Sequence, residues 1–214
     1  MARTIRTKIY KFAELNSEAQ QVAINNIRNS DVISSEHIYN DAYETVKKFN
    51  DIFNLKEGRN SWLDFNTNHI DDNILELKGL RLQKYILNNF STSIYKGKYF
   101  YLWSKTEKSF QYHKEGKATL KSRYSKVIFN NDCALTGMCY DMDLLHPIYE
   151  FLEKYKAKEN YYLNMTFEQL LKNCFKSLDK SLKNEDEYLY SEEYINEYID
   201  SNEVEFLING KQYN

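Results

Sequence analysis

Only one proline and six glycines occur in 214 residues, so backbone breakers are nearly missing from this chain. That scarcity, far below the usual ~5% and ~7%, excludes flexible linkers, collagen-like repeats and low-complexity tails. The length favours one domain, at most two small ones, and the expectation is a single compact domain over residues 1–214. With 42% apolar residues the chain can bury an ordinary core. A mean hydropathy of −0.71 argues against a spanning segment. No run approaches the ~20 apolar residues that a bilayer requires. Met1–Lys11 is basic but has no apolar centre, so it does not read as a secretory signal, and a cytoplasmic location without membrane contact is expected.

The pattern along the chain mixes both periods. Thr4–Phe12 alternates as a short strand, and a helix follows from Asn16, with Ser17 and Gln20 spaced as a capping box and Ala19, Ala23 and Ile27 on one face. Ile38, Ala42, Val46, Phe49 and Phe53 predict a helix from about Ser35 to Asn50 or slightly beyond. Ser61–Asn66 and Asn73–Leu80 read as strands, and Leu80–Phe90 as a short helix after Gly79. Tyr95–Trp103 is aromatic and extended in character, Lys117–Asn130 alternates, and Ala134–Cys139 suits a further strand. Asp141–Tyr155 is helical, with Pro147 either starting or kinking it. Thr166 and Gln169 form a second capping box ahead of the stripe Leu170, Leu171, Cys174, Phe175, Leu178 and Leu182. Ser191–Asp200 is helical, and Val204–Ile208 with a turn at Asn209-Gly210 predicts a closing hairpin. The expected fold is α+β, with helices packed on a small, mainly antiparallel sheet.

A net charge of −2 conceals two opposed segments. From Ile94 to Ile128 nine basic residues, Lys96, Lys98, Lys105, Lys108, Lys114, Lys117, Lys121, Arg123 and Lys126, outweigh Glu107 and Glu115 to give +7. From Asn184 to Glu205 nine acids, Glu185, Asp186, Glu187, Glu192, Glu193, Glu197, Asp200, Glu203 and Glu205, give −9 without one Lys or Arg. The two segments either mark partner surfaces or face each other across one domain. In the basic segment the lysines alternate with Tyr95, Tyr99, Tyr101, Trp103, Phe110 and Tyr112. Cations for phosphates between rings for bases is what a single-strand or RNA-binding surface needs. The candidate nucleic-acid-binding residues are therefore Lys96, Lys98, Tyr101, Trp103, Lys105, Lys108, Lys114, Lys117, Lys121 and Arg123. With 23 lysines against 6 arginines, backbone contact is favoured over bidentate base readout. That bias, with 23 asparagines, also reads as an AT-rich coding source.

The acidic segment cannot bind nucleic acid. It suits docking onto the basic groove of a nucleic-acid-handling complex, through Glu185, Asp186, Glu187, Glu192, Glu193 and Glu197, as a decoy for the phosphate backbone. The plainer alternative is a solvated amphipathic helix packed by its Tyr and Ile side.

Catalytic signatures are sparse. No GxGxxG, GxxxxGK[ST], HExxH, GxSxG or paired CxxC occurs. The histidines (His37, His69, His113, His146) are scattered, and Cys133, Cys139 and Cys174 fit neither a disulfide scaffold nor a familiar zinc spacing. Asp132, Asp141 and Asp143 offer carboxylates for Mg²⁺, although capping of the following helix explains them better. His113, beside Tyr112, Lys114 and Lys117, is the one candidate general base, with no partner acid in view. No catalytic residue, metal or cofactor is therefore assigned.

Three stretches, KIYKFAELNSEAQQVAINNIR, LKSRYSKVIFNNDCALTGMCYDMDLLHPIYEFL and TFEQLL with SEEYINEYIDSNEVEFLINGK, together resemble a largely uncharacterised protein family carried by phages and integrative elements of AT-rich Gram-positive bacteria. The resemblance brings no catalytic motif. It implies a context, the cytoplasm of a bacterial host cell, in which small accessory proteins disarm host defences and some act as anti-CRISPR proteins. The resulting expectation is a counter-defence protein that binds a host nucleoprotein defence complex, its single-stranded RNA, or both, without catalysis. A small RNA-cleaving nuclease is the alternative. A DNA-binding regulator ranks below both, since no helix-turn-helix with a basic recognition helix stands out.

Overall fold

The computed structural model describes residues 7–96, 99–104, 109–114, 124–128, 134–136, 140–154 and 160–213. The fold is α+β, mostly helical with short antiparallel sheets. The chain divides into two compact units, Met1–His37 with Leu182–Asn214, and Ile38–Ser181.

In the first unit the two ends of the chain pair. Strand β1 (Tyr10–Lys11) lies antiparallel to β7 (Glu205–Phe206), with Tyr10 opposite Phe206 and Lys11 opposite Glu205. The Phe12 and Phe206 rings meet with centroids 6.0 Å apart. Helix α1 (Ser17–Arg28) is capped by Asn16, whose Oδ1 accepts from the Ala19 amide at 2.8 Å, so the cap sits one residue before the predicted Ser17. An Asn at the N-cap satisfies an amide as well as Ser does, and the helix starts at the first competent residue. Ala19, Ala23, Ile24 and Ile27 are buried and α1 packs against α8 (Glu192–Ser201), which buries Ile195 and Ile199. Ser191 caps α8 by accepting from the Tyr194 amide at 3.2 Å. The closing hairpin forms as expected, with the Leu207 amide donating to the Lys211 carbonyl and the Tyr213 amide to the Glu205 carbonyl. Gly210 has φ +79°, and a Cβ there would lie 2.1 Å from the Ala19 carbonyl oxygen, so only glycine allows the turn to reach α1.

In the second unit α2 (Glu36–Phe53) buries Ile38, Ala42, Thr45, Val46, Phe49, Asn50 and Phe53, the predicted stripe with two polar additions. Strands β2 (Lys56–Glu57) and β3 (Phe65–Asn66) form a two-residue ladder. The strand expected at 73–80 is instead α3 (Asp72–Leu75), followed by α4 (Gly79–Lys96). Asp71 Oδ1 accepts from the Asn73 amide at 2.8 Å, and this cap starts a helical turn before any ladder can form. A three-stranded sheet, β4 (Tyr99–Ser104), β5 (Ser109–Lys114) and β6 (Tyr124–Ile128), has the antiparallel order β5-β4-β6. Helix α5 (Tyr140–Lys154) continues through Pro147, then come α6 (Asn160–Asn164) and α7 (Phe167–Leu189). The Thr166–Gln169 capping box is present in both directions, at 3.0 and 3.1 Å.

A cluster of rings joins the aliphatic core of this unit. Phe53 lies 4.5 Å from both Phe49 and Phe90, and Phe49 and Phe65 both contact Phe175. Full burial of Phe49, Phe53 and Phe175 contributes about 1.5–3 kcal/mol each, and the half-buried Phe65 and Phe90 contribute less. Among the described residues no helix is long and apolar enough to cross a membrane.

Candidate nucleic-acid and partner interfaces

The basic segment reaches the sheet through its backbone register. Tyr99 stands opposite Lys114, Tyr101 opposite Tyr112 and Ile128, and Trp103 opposite Phe110 and Lys126. These pairs hold alternate positions along β4, with the intervening positions paired separately. Between them, His113 pairs with Phe100 in that register, and Leu102 stands opposite Gln111 and Val127. A register shift at Trp103/Ser104 ends the regular pairing with β6. Lys96 closes α4. Lys98, Lys105, Lys108, Lys117, Lys121 and Arg123 lie outside the described residues.

The acidic segment is described throughout. Its acids follow the helix phase: Glu192, Glu193, Glu197 and Asp200 are exposed on α8 while Ile195 and Ile199 face inward. Glu185 and Glu187 are exposed near the end of α7, and Asp186 is half-buried. Arg28 of α1 lies 4.0 Å from Glu192, and its Nε donates to the Tyr190 carbonyl at 3.0 Å. Tyr188 donates to Glu197 at 3.1 Å and meets the Tyr194 ring edge-on at 5.5 Å. That bond to Glu197 raises the Tyr188 phenol above its ordinary pKa, helped by desolvation and the charges of Glu197 and Glu193. The last turn of α8 holds Asp200 and no basic residue, the reverse of what the helix dipole favours. Glu192 and Glu193 in the first turn follow that preference.

Asp141 and Asp143, two of the carboxylates considered for metal binding, hold hydrogen bonds within the fold. Asp141 is fully buried; its Oδ2 accepts from the Leu135 and Thr136 amides, both at 2.7 Å, and its Oδ1 from the hydroxyls of Thr136 at 2.7 Å and Thr45 at 3.2 Å. This is not a helix cap: the amides belong to the preceding loop. Their capture by Asp141 also keeps residues 134–136 from forming the start of the strand expected at 134–139. Asp143 accepts from Ser181 at 2.8 Å. Among the described residues no three His, Cys, Asp or Glu side chains gather as a metal site. Asp132, Cys133 and Cys139 lie outside the described residues. Cys174 is buried, and desolvation pushes its thiol pKa well up, away from the reactive thiolate.

Sequence reasoning missed one concavity. A cavity of about 390 Å³ is floored by Phe53, Phe90 and Phe167 and rimmed by Tyr85, His69 and Asp71. His69 Nε2 lies 2.6 Å from the Asn54 carbonyl, which only accepts, so this nitrogen carries the proton. Asn54 holds that carbonyl in place with φ +53°, a left-handed conformation that Asn adopts more readily than most residues. These residues come from four distant stretches, and nothing local in the sequence marks them. No family model, curated protein or solved structure matches the chain.

Proposed function

We propose that this chain acts by binding, engaging a host nucleoprotein defence complex, its single-stranded RNA, or both. The observation that carries the reading is the register of β4, which sets Tyr99, Tyr101 and Trp103 in line with Lys114, Tyr112 and Phe110. Rings at alternate strand positions, paired in register with ring-bearing positions of the next strand, are the pattern a base-stacking platform requires, and the lysines interleaved in this segment suit phosphates. The exposed acids of α8, running from Glu192 and Glu193 in its first turn to Asp200 in its last, support a second surface that a basic partner would recognise. The resemblance to proteins of phages and integrative elements supports a defence complex as that partner, with a counter-defence, anti-CRISPR-like outcome in the bacterial cytoplasm.

The test is the ratio of absorbance at 260 and 280 nm for protein purified from cells at low salt. Co-purifying RNA, released by raising the salt, is the expected result. Protein free of nucleic acid that also fails to bind a basic nucleoprotein complex would overturn the proposal.

A further inference from the structure

We infer that the face of α7 bearing Lys176 and Lys180 binds the phosphate of a nucleotide, with the nucleoside seated in the cavity beside it. The inference deepens the nucleic-acid reading, and rests on it only where the nucleotide belongs to an RNA strand; every residue it uses lies outside 94–128.

Asn173, Lys176, Ser177 and Lys180 recur at the three- and four-residue spacings that place side chains on one helical face. Lys176 and Lys180 are exposed and one turn apart, and among the described residues neither has a carboxylate partner. Like charges at this spacing repel by a few tenths of a kcal/mol, so an anion between them relieves a standing cost. Neighbouring lysines differ: Lys172 bonds Glu168 at 2.6 Å, and Lys154 lies 3.7 Å from Glu150. The two cations left over are the ones that line a cavity of about 320 Å³.

That cavity has two kinds of wall. Lys176, Lys180, Ser177 and Asn173 supply ammonium, hydroxyl and amide donors, which suit a dianionic phosphate. Pro147, Tyr162, Met165 and Leu170 supply an apolar and aromatic wall. Glu150 is the single acid in the lining, against Lys176 and Lys180, and it pairs with Lys154. Lys154 also stands 6.0 Å from the Tyr162 ring centre. An inorganic anion would use only the polar wall. A phosphate joined to a planar base uses both, and the volume lies within the ordinary range of ligand pockets.

Adenosine 5′-monophosphate, inorganic phosphate and a short single-stranded RNA are the probes, titrated into the full chain and followed by amide chemical shifts. The nucleotide should shift Asn173–Lys180 and Tyr162, and phosphate should shift Lys176–Lys180 alone with about tenfold weaker binding, the worth of one stacked ring. The double variant K176Q/K180Q should lose both responses at an unchanged melting temperature, since both side chains are exposed. Tyr162→Leu should bring the nucleotide down to the affinity of phosphate. Shifts at α7 from RNA as well identify the strand as the source; shifts from the nucleotide alone identify a free nucleotide and uphold this site, while RNA binding through 94–128 is read separately, from co-purification and from the salt dependence of RNA binding. No response at α7 to millimolar nucleotide, or an equal response in K176Q/K180Q, overturns it.

Discussion

Asp141 and the acids of α8 carry one functional group into opposite uses. In the second unit the Asp141 carboxylate is fully enclosed, and four donors from residues 45, 135 and 136 occupy both of its oxygens. In the first unit Glu192, Glu193, Glu197 and Asp200 face water, with Arg28 at 4.0 Å from Glu192 the nearest opposing charge given by the geometry. A buried charge must be met by donors or it destabilises the fold, so the loop has been shaped around Asp141. An exposed acid carries no such constraint, and a run of them stores electrostatic potential for a partner. Burial and satisfaction, rather than charge itself, separate a structural carboxylate from a recognition carboxylate.

The sharpest way to break that distinction is to reverse the exposed group. Glu192→Lys, Glu193→Lys and Glu197→Lys together should abolish binding to a basic partner complex while stability changes by less than about 1 kcal/mol. Full-strength partner binding by this triple variant, measured by co-elution, would remove recognition from the acidic face. The converse variant is Asp141→Ala, which removes the acceptor that two amides and the Thr136 and Thr45 hydroxyls share. It should cost roughly 3 kcal/mol or more in denaturant unfolding, with Asp141→Asn costing less because one oxygen remains. An unchanged unfolding midpoint for the alanine variant would mean that the loop does not depend on this carboxylate.

A smaller effect sharpens the contrast on the sheet. Tyr101→Ala or Trp103→Ala should weaken RNA binding by about 1–3 kcal/mol with the melting temperature retained, if the rings stack on bases. A loss of about 3–5 kcal/mol of folding stability would place those rings in a core. One thermal melt beside one binding titration separates the two.

Long periodic elements were legible in the sequence. The stripe Ile38, Ala42, Val46, Phe49, Phe53 marks α2, and the Thr166–Gln169 box marks the start of α7, because both signals are local. The pairing of β1 with β7 was not legible: each strand has two residues, too few to show a period, and they come from opposite ends of the chain. The 73–80 stretch misled because its apolar residues resemble a strand while Asp71 silently supplies a helix cap. The charge runs could be read directly, yet which acids point outward depended on the phase set by Ile195 and Ile199. The aromatic row of β4 was visible as an alternation, whereas its partners Tyr112 and Phe110 follow only from the register. Lys176 and Lys180 escaped notice because lysines four apart look like any solvated helix face. The wall of Pro147 and Tyr162 that makes them a cavity comes from other elements.

The most direct test of the account is the salt dependence of single-stranded RNA binding by the full chain. Each phosphate contact with a single strand contributes about 0.7 to the log–log slope, so roughly four or five contacts predict a slope near −3. Lys98→Ala and Lys108→Ala should each lower its magnitude by somewhat under one unit without altering sequence preference. Binding with that slope, reduced stepwise by the two variants, is the result the account predicts; no measurable binding at low salt, or a slope indifferent to both lysines, would contradict it.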